Sequence, residues 1–130
     1  MHIESQKTTV QKSAENLFNE LIQVGNYQKL MPENTAKFEI IDNETFLFAL
    51  QGMPEITLRI KEKTPSSKIV LASPSDKPSF NLTALIESAS EQSASVQLIF
   101  QGEFNTMMAM MIKGPITKFI ETLAANMFKL

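Results

Sequence analysis

The sequence predicts an α+β fold, in which a curved antiparallel sheet of about seven strands follows two short N-terminal helices and one long C-terminal helix packs across the concave face. Three observations predict this fold. Apolar residues recur at three-and-four spacing near the N-terminus and again from residue 105 onward, which is typical of helices. Between these segments the apolar period is two, which is typical of strands that bury one face. The length of 130 residues suits a single domain, 1–130.

The N-terminal segment predicts one strand followed by the two short helices. Residues 2–10 are rich in threonine and alternate weakly, as a strand does. Ser13 is the predicted N-cap of the first helix, and Gly25 is predicted to end it. Asn26 can cap a further turn or two, which end at Pro32 because proline cannot continue a helix.

The middle of the chain predicts six more strands arranged as a meander. Each has apolar residues at alternate positions, and segments rich in Gly, Pro, Asp, Asn and Ser separate several of them. One of these segments, residues 73–78, is predicted to be a polar loop. The predicted strands cover residues 36–40, 46–50, 56–60, 69–71, 80–86 and 96–100.

The C-terminal segment predicts a helix from Asn105 or Thr106 to Leu130, which would be about 37 Å long if straight. That length is enough to cross a small sheet. Pro115 follows Gly114 within it and predicts a kink, since proline lacks the amide proton and its ring clashes with the preceding turn. One apolar stripe faces the sheet: Met108, Ile112, Ile116, Phe119, Leu123, Met127 and Leu130.

This order of elements resembles the START/Bet v 1-like superfamily, the polyketide cyclase or coenzyme Q-binding type of helix-grip domain. The most specific part is residues 13–32, which begin Ser-Ala-Glu-Asn-Leu-Phe and end Tyr-Gln-Lys-Leu-Met-Pro. The resemblance covers essentially the whole chain and includes no catalytic signature. It implies an apolar cavity between the sheet and the long helix, and hence a small hydrophobic molecule as the partner. Members include cyclases, stress-response proteins and chaperone partners, so the fold alone does not determine the function.

Composition argues against several other classes of function. Twelve basic and fourteen acidic residues form no basic stripe, so nucleic-acid binding is not expected. Cysteine is absent, and His2 is the only histidine, so neither a metal site nor a cofactor is expected. No apolar stretch approaches the roughly 20 residues of a membrane span, and no secretory signal precedes the first strand. The expected location is therefore the cytoplasm, without stable membrane insertion.

The predicted ligand site consists of apolar residues on the inner faces of the strands and the long helix. Met107, Met108, Met110 and Met111 form either an adaptable wall for a ligand or a filling for gaps in the core, since thioethers suit both roles. Tyr27, the only tyrosine, either offers its hydroxyl to a ligand at the rim or anchors the second short helix. The candidate wall residues are Leu30, Phe48, Leu58, Ile69, Leu82, Leu98, Met108, Met111, Ile112 and Phe119.

Three functions are compatible with this site. The leading prediction is noncatalytic binding or carriage of a small hydrophobic or amphipathic molecule. An enzyme of the cyclase or dehydratase sort would need titratable side chains that converge in the cavity, and the strand alternation places none there. A protein-interaction module would need a filled interior and a large exposed apolar patch.

Overall fold

The computed structural model of the chain describes residues 1–75 and 79–130, and within them it has the predicted α+β architecture. Asp76, Lys77 and Pro78, part of the predicted polar loop, lie outside the described residues. The elements in chain order are β1 (His2–Glu4), β2 (Thr8–Val10), α1 (Ala14–Leu21), a 3-10 helix (Val24–Leu30), β3 (Thr35–Asp42), β4 (Thr45–Leu50), β5 (Ile56–Thr64), β6 (Lys68–Ala72), β7 (Phe80–Ser90), β8 (Ser93–Gly102), α2 (Thr106–Ala125) and a C-terminal 3-10 helix (Asn126–Lys129).

The strands form one antiparallel sheet in the order β1-β8-β7-β6-β5-β4-β3, with β2 also paired to β8. The predicted first strand is therefore two short strands on the same neighbour. Ser5 lies at the break and is buried. Its amide donates to the Leu98 carbonyl at 2.8 Å, and its hydroxyl accepts from the Leu98 amide at 2.9 Å. The side chain of Ser5 thus replaces the backbone acceptor that the ladder loses there.

Irregular pairing curves the sheet. The register shifts between β3 and β4, between β5 and β6, and between β7 and β8. Such bulges bend strands and increase their twist. The concave face that results covers a continuous apolar core, whose most deeply buried members include Leu17, Leu21, Phe46, Ile69, Leu71, Val96, Ile120, Leu123 and Met127.

The two N-terminal helices follow the prediction in position but differ in how the first one ends. Ser13 caps α1, since its hydroxyl accepts a hydrogen bond from the Asn16 amide at 3.1 Å. Gly25 does not end α1, which stops four residues earlier; it lies inside the 3-10 helix Val24–Leu30. The Asn26 side chain donates to the backbone and carboxylate oxygens of Glu20, both at 2.9 Å. These bonds tie the end of α1 to the next helix.

Only the C-terminal half of α2 is buried against the sheet. Asn105 caps the helix by accepting a hydrogen bond from the Met108 amide at 2.8 Å. The helix continues through Pro115 and ends at Ala125, five residues before the predicted end. Its buried residues are Ile116, Phe119, Ile120, Leu123 and Ala124.

The first turns of α2 present methionine side chains to solvent on one side. Met107, Met110 and Met111 are 74%, 78% and 71% exposed, and we call these three the methionine patch. Met108, predicted to lie on the buried stripe, is 42% exposed. In the part of the chain that the structure describes, no helix has both the length and the apolar character that crossing a bilayer requires.

Candidate functional site

A cleft of about 520 Å³ lies between the N-terminal half of α2 and the sheet, and we call it the apolar cleft. The helix lines it with Met108, Ile112 and Ile116, which follow one another at intervals of four residues and therefore share one face. The rest of the wall comes from Phe119 of the same helix, from strands β4, β5, β7 and β8, and from the segments that follow β4, β6 and β8. The cleft therefore lies where the exposed half of α2 passes over the concave face.

Phenylalanine rings make up much of the wall of the apolar cleft. Phe48 and Phe119 stack with their centroids 4.8 Å apart and their planes 12° apart. Phe80, Phe100 and Phe104 form a second cluster, with centroid distances of 5.9, 6.1 and 6.2 Å. Aromatic faces offer large, rigid apolar surfaces that can stack on a ligand. The two clusters suit a compact apolar or aromatic molecule.

The last residue of β8, Gly102, allows the second aromatic cluster to form. A Cβ atom at this position would lie 2.5 Å from Cε2 of Phe104 and 2.9 Å from Cβ of Phe80. Distances this short require the neighbouring groups to move, and the Cβ of Phe80 is held close to its backbone. The absence of a side chain at Gly102 thus lets Phe104 close this side of the cleft.

Polar groups in the lining of the apolar cleft are few. Among the lining residues that the structure describes, only Glu55 has an ionisable side chain. Lys37 donates a hydrogen bond to Glu55 at 3.0 Å, and this bond raises the pKa of Lys37. Both side chains are about half exposed, so the pair contributes little to stability. Within residues 1–75 and 79–130, no group of three or more acidic or histidine side chains could hold a metal ion.

Six of the ten wall residues predicted from the sequence line the apolar cleft: Phe48, Leu58, Leu82, Met108, Ile112 and Phe119. Of the others, Ile69 and Leu98 line a deeper void, and Leu30 is buried in the core without reaching the cleft. The placement of Met111 in the wall was wrong. Its neighbour Ile112 faces the cleft, and one step along a helix turns a side chain by about 100°.

The cleft also contains residues that the sequence analysis missed. Phe80 and Phe100 lie on the alternating apolar faces of β7 and β8, so the same alternation could have identified them. Phe104 follows the end of β8, outside any periodic segment, and no sequence pattern identified it. Ile116 was on the predicted helix stripe but was not included among the wall residues.

Deeper in the core lies a void of about 10 Å³, which we call the inner void. Tyr27 lines it and is 3% exposed, so the tyrosine is an interior residue and not a rim residue. Its ring stacks on Phe46 at a centroid distance of 5.0 Å. Burial disfavours the phenolate and raises the pKa of Tyr27 above its ordinary value of 10.0.

A larger groove of about 810 Å³ follows the other side of α2, and its lining includes Gly114, Pro115 and Lys118. Glu33 and Lys129 also line it, so charged side chains of both signs face this groove. Charged groups keep their hydration in such an environment, which disfavours an apolar ligand. The apolar cleft is therefore the better candidate site despite its smaller volume.

The exposure of the methionine patch predicts that its three residues react with hydrogen peroxide much faster than a buried methionine does. Met107, Met110 and Met111 should be converted to sulfoxides first because their sulfur atoms are open to solvent. Met127 is 1% exposed and should react only when the chain unfolds. Peptide mass mapping during a peroxide time course measures each rate. Equal rates at Met111 and Met127 in the folded protein would contradict this arrangement of α2.

Solved structures with this fold come from several organisms. Norcoclaurine synthase from Thalictrum flavum, in complex with dopamine and hydroxybenzaldehyde, matches with a TM-score of 0.75 and 13% identity, over 99% of this chain and 84% of that chain. A START superfamily protein from Mycobacterium smegmatis matches with a TM-score of 0.70 and 13% identity, over 98% of this chain and 94% of that chain. A conserved protein from Geobacillus kaustophilus matches with a TM-score of 0.70 and 12% identity, over 99% of this chain and 93% of that chain.

These likenesses confirm the predicted START/Bet v 1-like fold. At 12–13% identity they establish the fold alone. No protein-family model and no curated protein matches the sequence. The function must therefore be argued from the site itself.

Proposed function

We propose that this protein binds or carries a small hydrophobic or amphipathic molecule in the apolar cleft. The observation that carries the proposal is the cleft itself, about 520 Å³ in volume and lined mainly by aliphatic and aromatic side chains. Sites for small molecules commonly have volumes of about 300–1,000 Å³ and mostly apolar walls with a few polar groups. The hydroxyl of Thr57 and the carboxylate of Glu55 are such polar groups.

The composition of the lining favours binding over acid–base catalysis. General acid–base chemistry needs a positioned proton donor or acceptor, usually with a shifted pKa. The described lining contains one carboxylate, Glu55, and this group is half exposed and paired with Lys37. Norcoclaurine synthase is an enzyme with a similar fold, and its complex contains two small aromatic molecules. That example supports the binding of a small molecule by a domain of this fold, and at 13% identity it does not carry its reaction over to this chain.

The third function considered, a protein-interaction module, requires that side chains fill the interior between the sheet and the long helix. The apolar cleft does not fit that assumption, although the methionine patch does supply exposed apolar surface. We therefore place the ligand between α2 and the sheet.

Two neighbouring substitutions test the proposal. Ile112 is half-buried and lines the cleft. The larger side chain of Ile112→Trp should occupy the space that a ligand would take. Binding of the neutral fluorescent probe N-phenyl-1-naphthylamine should therefore weaken at least about tenfold. Met111→Trp is the matched control, because it adds the same ring one residue away on the exposed side. It should bind the probe as the unmodified protein does. Melting temperatures of all three proteins establish that each is folded.

Two results would count against the proposal. Equal probe affinity in Ile112→Trp and the unmodified protein would place the ligand elsewhere. Absence of probe binding by the unmodified protein, together with a native mass from its own host that equals the denatured mass, would remove the binding function altogether.

A further inference from the structure

Strand β3 forms an open edge of the sheet. It is the last strand in the sheet order, and no described element pairs with its outer side. The opposite edge consists of β1 and β2, which have three residues each, whereas β3 has eight. An edge strand leaves a row of backbone amide and carbonyl groups without partners in the sheet, so it can pair with a strand of another chain.

Two isoleucines near the end of β3 are open to solvent. Ile40 is 54% exposed and Ile41 is 53% exposed. Among the described strands, no other large hydrophobic residue is exposed to this extent. Removal of such surface from water stabilises association with a partner. The end of β3 is therefore the apolar part of this open edge.

The charges of β3 are complementary to those of a second copy of the same strand. Lys37 and Glu39 are exposed, and their charged groups lie 3.5 Å apart within one chain. A two-fold axis that relates two antiparallel edge strands keeps each face of the sheet, so the register must centre on a single residue. When it centres on Phe38, Lys37 lies opposite Glu39 of the second copy, and Glu39 lies opposite Lys37 of the second copy. Opposite charges at paired positions stabilise antiparallel strands.

The neighbouring registers are unfavourable. A register centred on Lys37 or on Glu39 places that residue opposite its own copy, and like charges directly opposite each other destabilise a strand pair. A register centred on Ile40 places Glu39 opposite Ile41, so that a charge meets apolar surface. Of these four registers, only the one centred on Phe38 gives both charged residues a partner of opposite sign.

Lysines and bulges on an edge strand commonly prevent pairing with another chain, and β3 has both. Its register with β4 shifts on either side of residues 37–40, which themselves pair regularly. The register centred on Phe38 has its centre inside this regular segment, and Lys37 meets an acidic residue there. The same register brings Ile40 beside Ala36 of the second copy, which removes part of the isoleucine from water.

From the open edge, the exposed isoleucines and the charge pattern, we infer that β3 is a self-association surface. Two copies of this chain pair through β3 in antiparallel orientation, with Phe38 at the two-fold axis, and their sheets become continuous. None of the described residues that line the apolar cleft belongs to β3, so the dimer leaves the cleft open. A contact of one strand from each copy is small, so the dimer should be reversible, with a Kd of about 10 µM to 1 mM.

Charge variants test the register. Glu39→Lys and Lys37→Glu each place like charges opposite one another and should weaken the dimer at least about tenfold. The double variant Lys37→Glu, Glu39→Lys exchanges the charges and should dimerise within about threefold of the unmodified protein. An equimolar mixture of the two single variants should form a mixed dimer, since opposite charges then meet again. Sedimentation equilibrium at concentrations up to about 1 mM separates the 14.6 kDa monomer from a dimer of twice that mass.

Met110→Lys is the control, because it places a charge in the methionine patch, the other exposed apolar surface of this size. It should leave dimerisation unchanged, and melting temperatures establish that each variant is folded. A monomer at every concentration would overturn the assignment of β3. So would a dimer that the single charge variants leave intact, a dimer that Met110→Lys abolishes, or folded single variants that fail to associate when mixed. Binding of N-phenyl-1-naphthylamine should be the same in all charge variants, so the proposed function is tested separately.

Discussion

Replacing Phe46 by alanine should lower the free energy of unfolding by about 3–5 kcal/mol, which is typical of a buried phenylalanine reduced to alanine. Phe46 is 1% exposed and connects three other rings. It stacks on Tyr27 at 5.0 Å, on Phe38 at 5.5 Å and on Phe48 at 6.1 Å. The substitution removes these contacts together and leaves a cavity that neighbouring strands of the sheet cannot easily close.

Urea unfolding followed by far-UV circular dichroism measures this effect. Phe128→Ala is the matched control, because Phe128 is 71% exposed and Nζ of its neighbour Lys129 lies 5.8 Å from the centroid of its ring. It should cost less than about 1 kcal/mol. A similar loss for both variants would mean that the Tyr27–Phe46–Phe48 stack does not form the centre of the core.

The second large effect is that ionisation of Tyr27 should lower the free energy of unfolding in alkaline solution. Burial raises the pKa of Tyr27 in the folded state above the 10.0 of an exposed tyrosine. Below pH 10 the phenol is protonated in both states, and its contribution to stability is complete. Above that pH the unfolded chain loses the proton while the folded chain keeps it. The free energy of unfolding should therefore fall by up to about 1.4 kcal/mol per pH unit until the pH reaches the pKa of the folded state.

The variant Tyr27→Phe separates this effect from the titration of lysines in the same range. Its free energy of unfolding should fall less steeply than that of the unmodified protein above pH 10, and the difference between the two slopes belongs to Tyr27. Absorbance at 295 nm follows the ionisation directly, since the chain has a single tyrosine. A midpoint near pH 10 in the folded protein would show that the phenol is open to solvent.

The order of the elements could be predicted from the sequence because each one carries a local signal. Period-two alternation identified the strands from Ala36 onward, and Ser13 marked the start of α1 through its side-chain cap. These signals depend only on residues close together in the chain, so they can be recognised in the sequence without the tertiary structure. Errors occurred where a distant partner decides the geometry. The break at Ser5, for example, depends on hydrogen bonds to Leu98, which is 93 residues away.

The site was only partly predictable for the same reason. Alternation placed Phe48, Leu58 and Leu82 on the inner faces, and the structure places all three at the cleft. Met111 was assigned to the wall although the helical period places it one residue off the stripe that contains Met108 and Ile112, and it faces solvent.

By itself, the sequence determined the α+β class, the single sheet with its long C-terminal helix, and the lack of cysteine and tryptophan chemistry. Tertiary structure alone decided that space remains between α2 and the sheet and that Tyr27 lies in the interior. The physical reason is that secondary structure follows from local spacing, whereas a cavity is the volume that side chains from distant segments fail to fill.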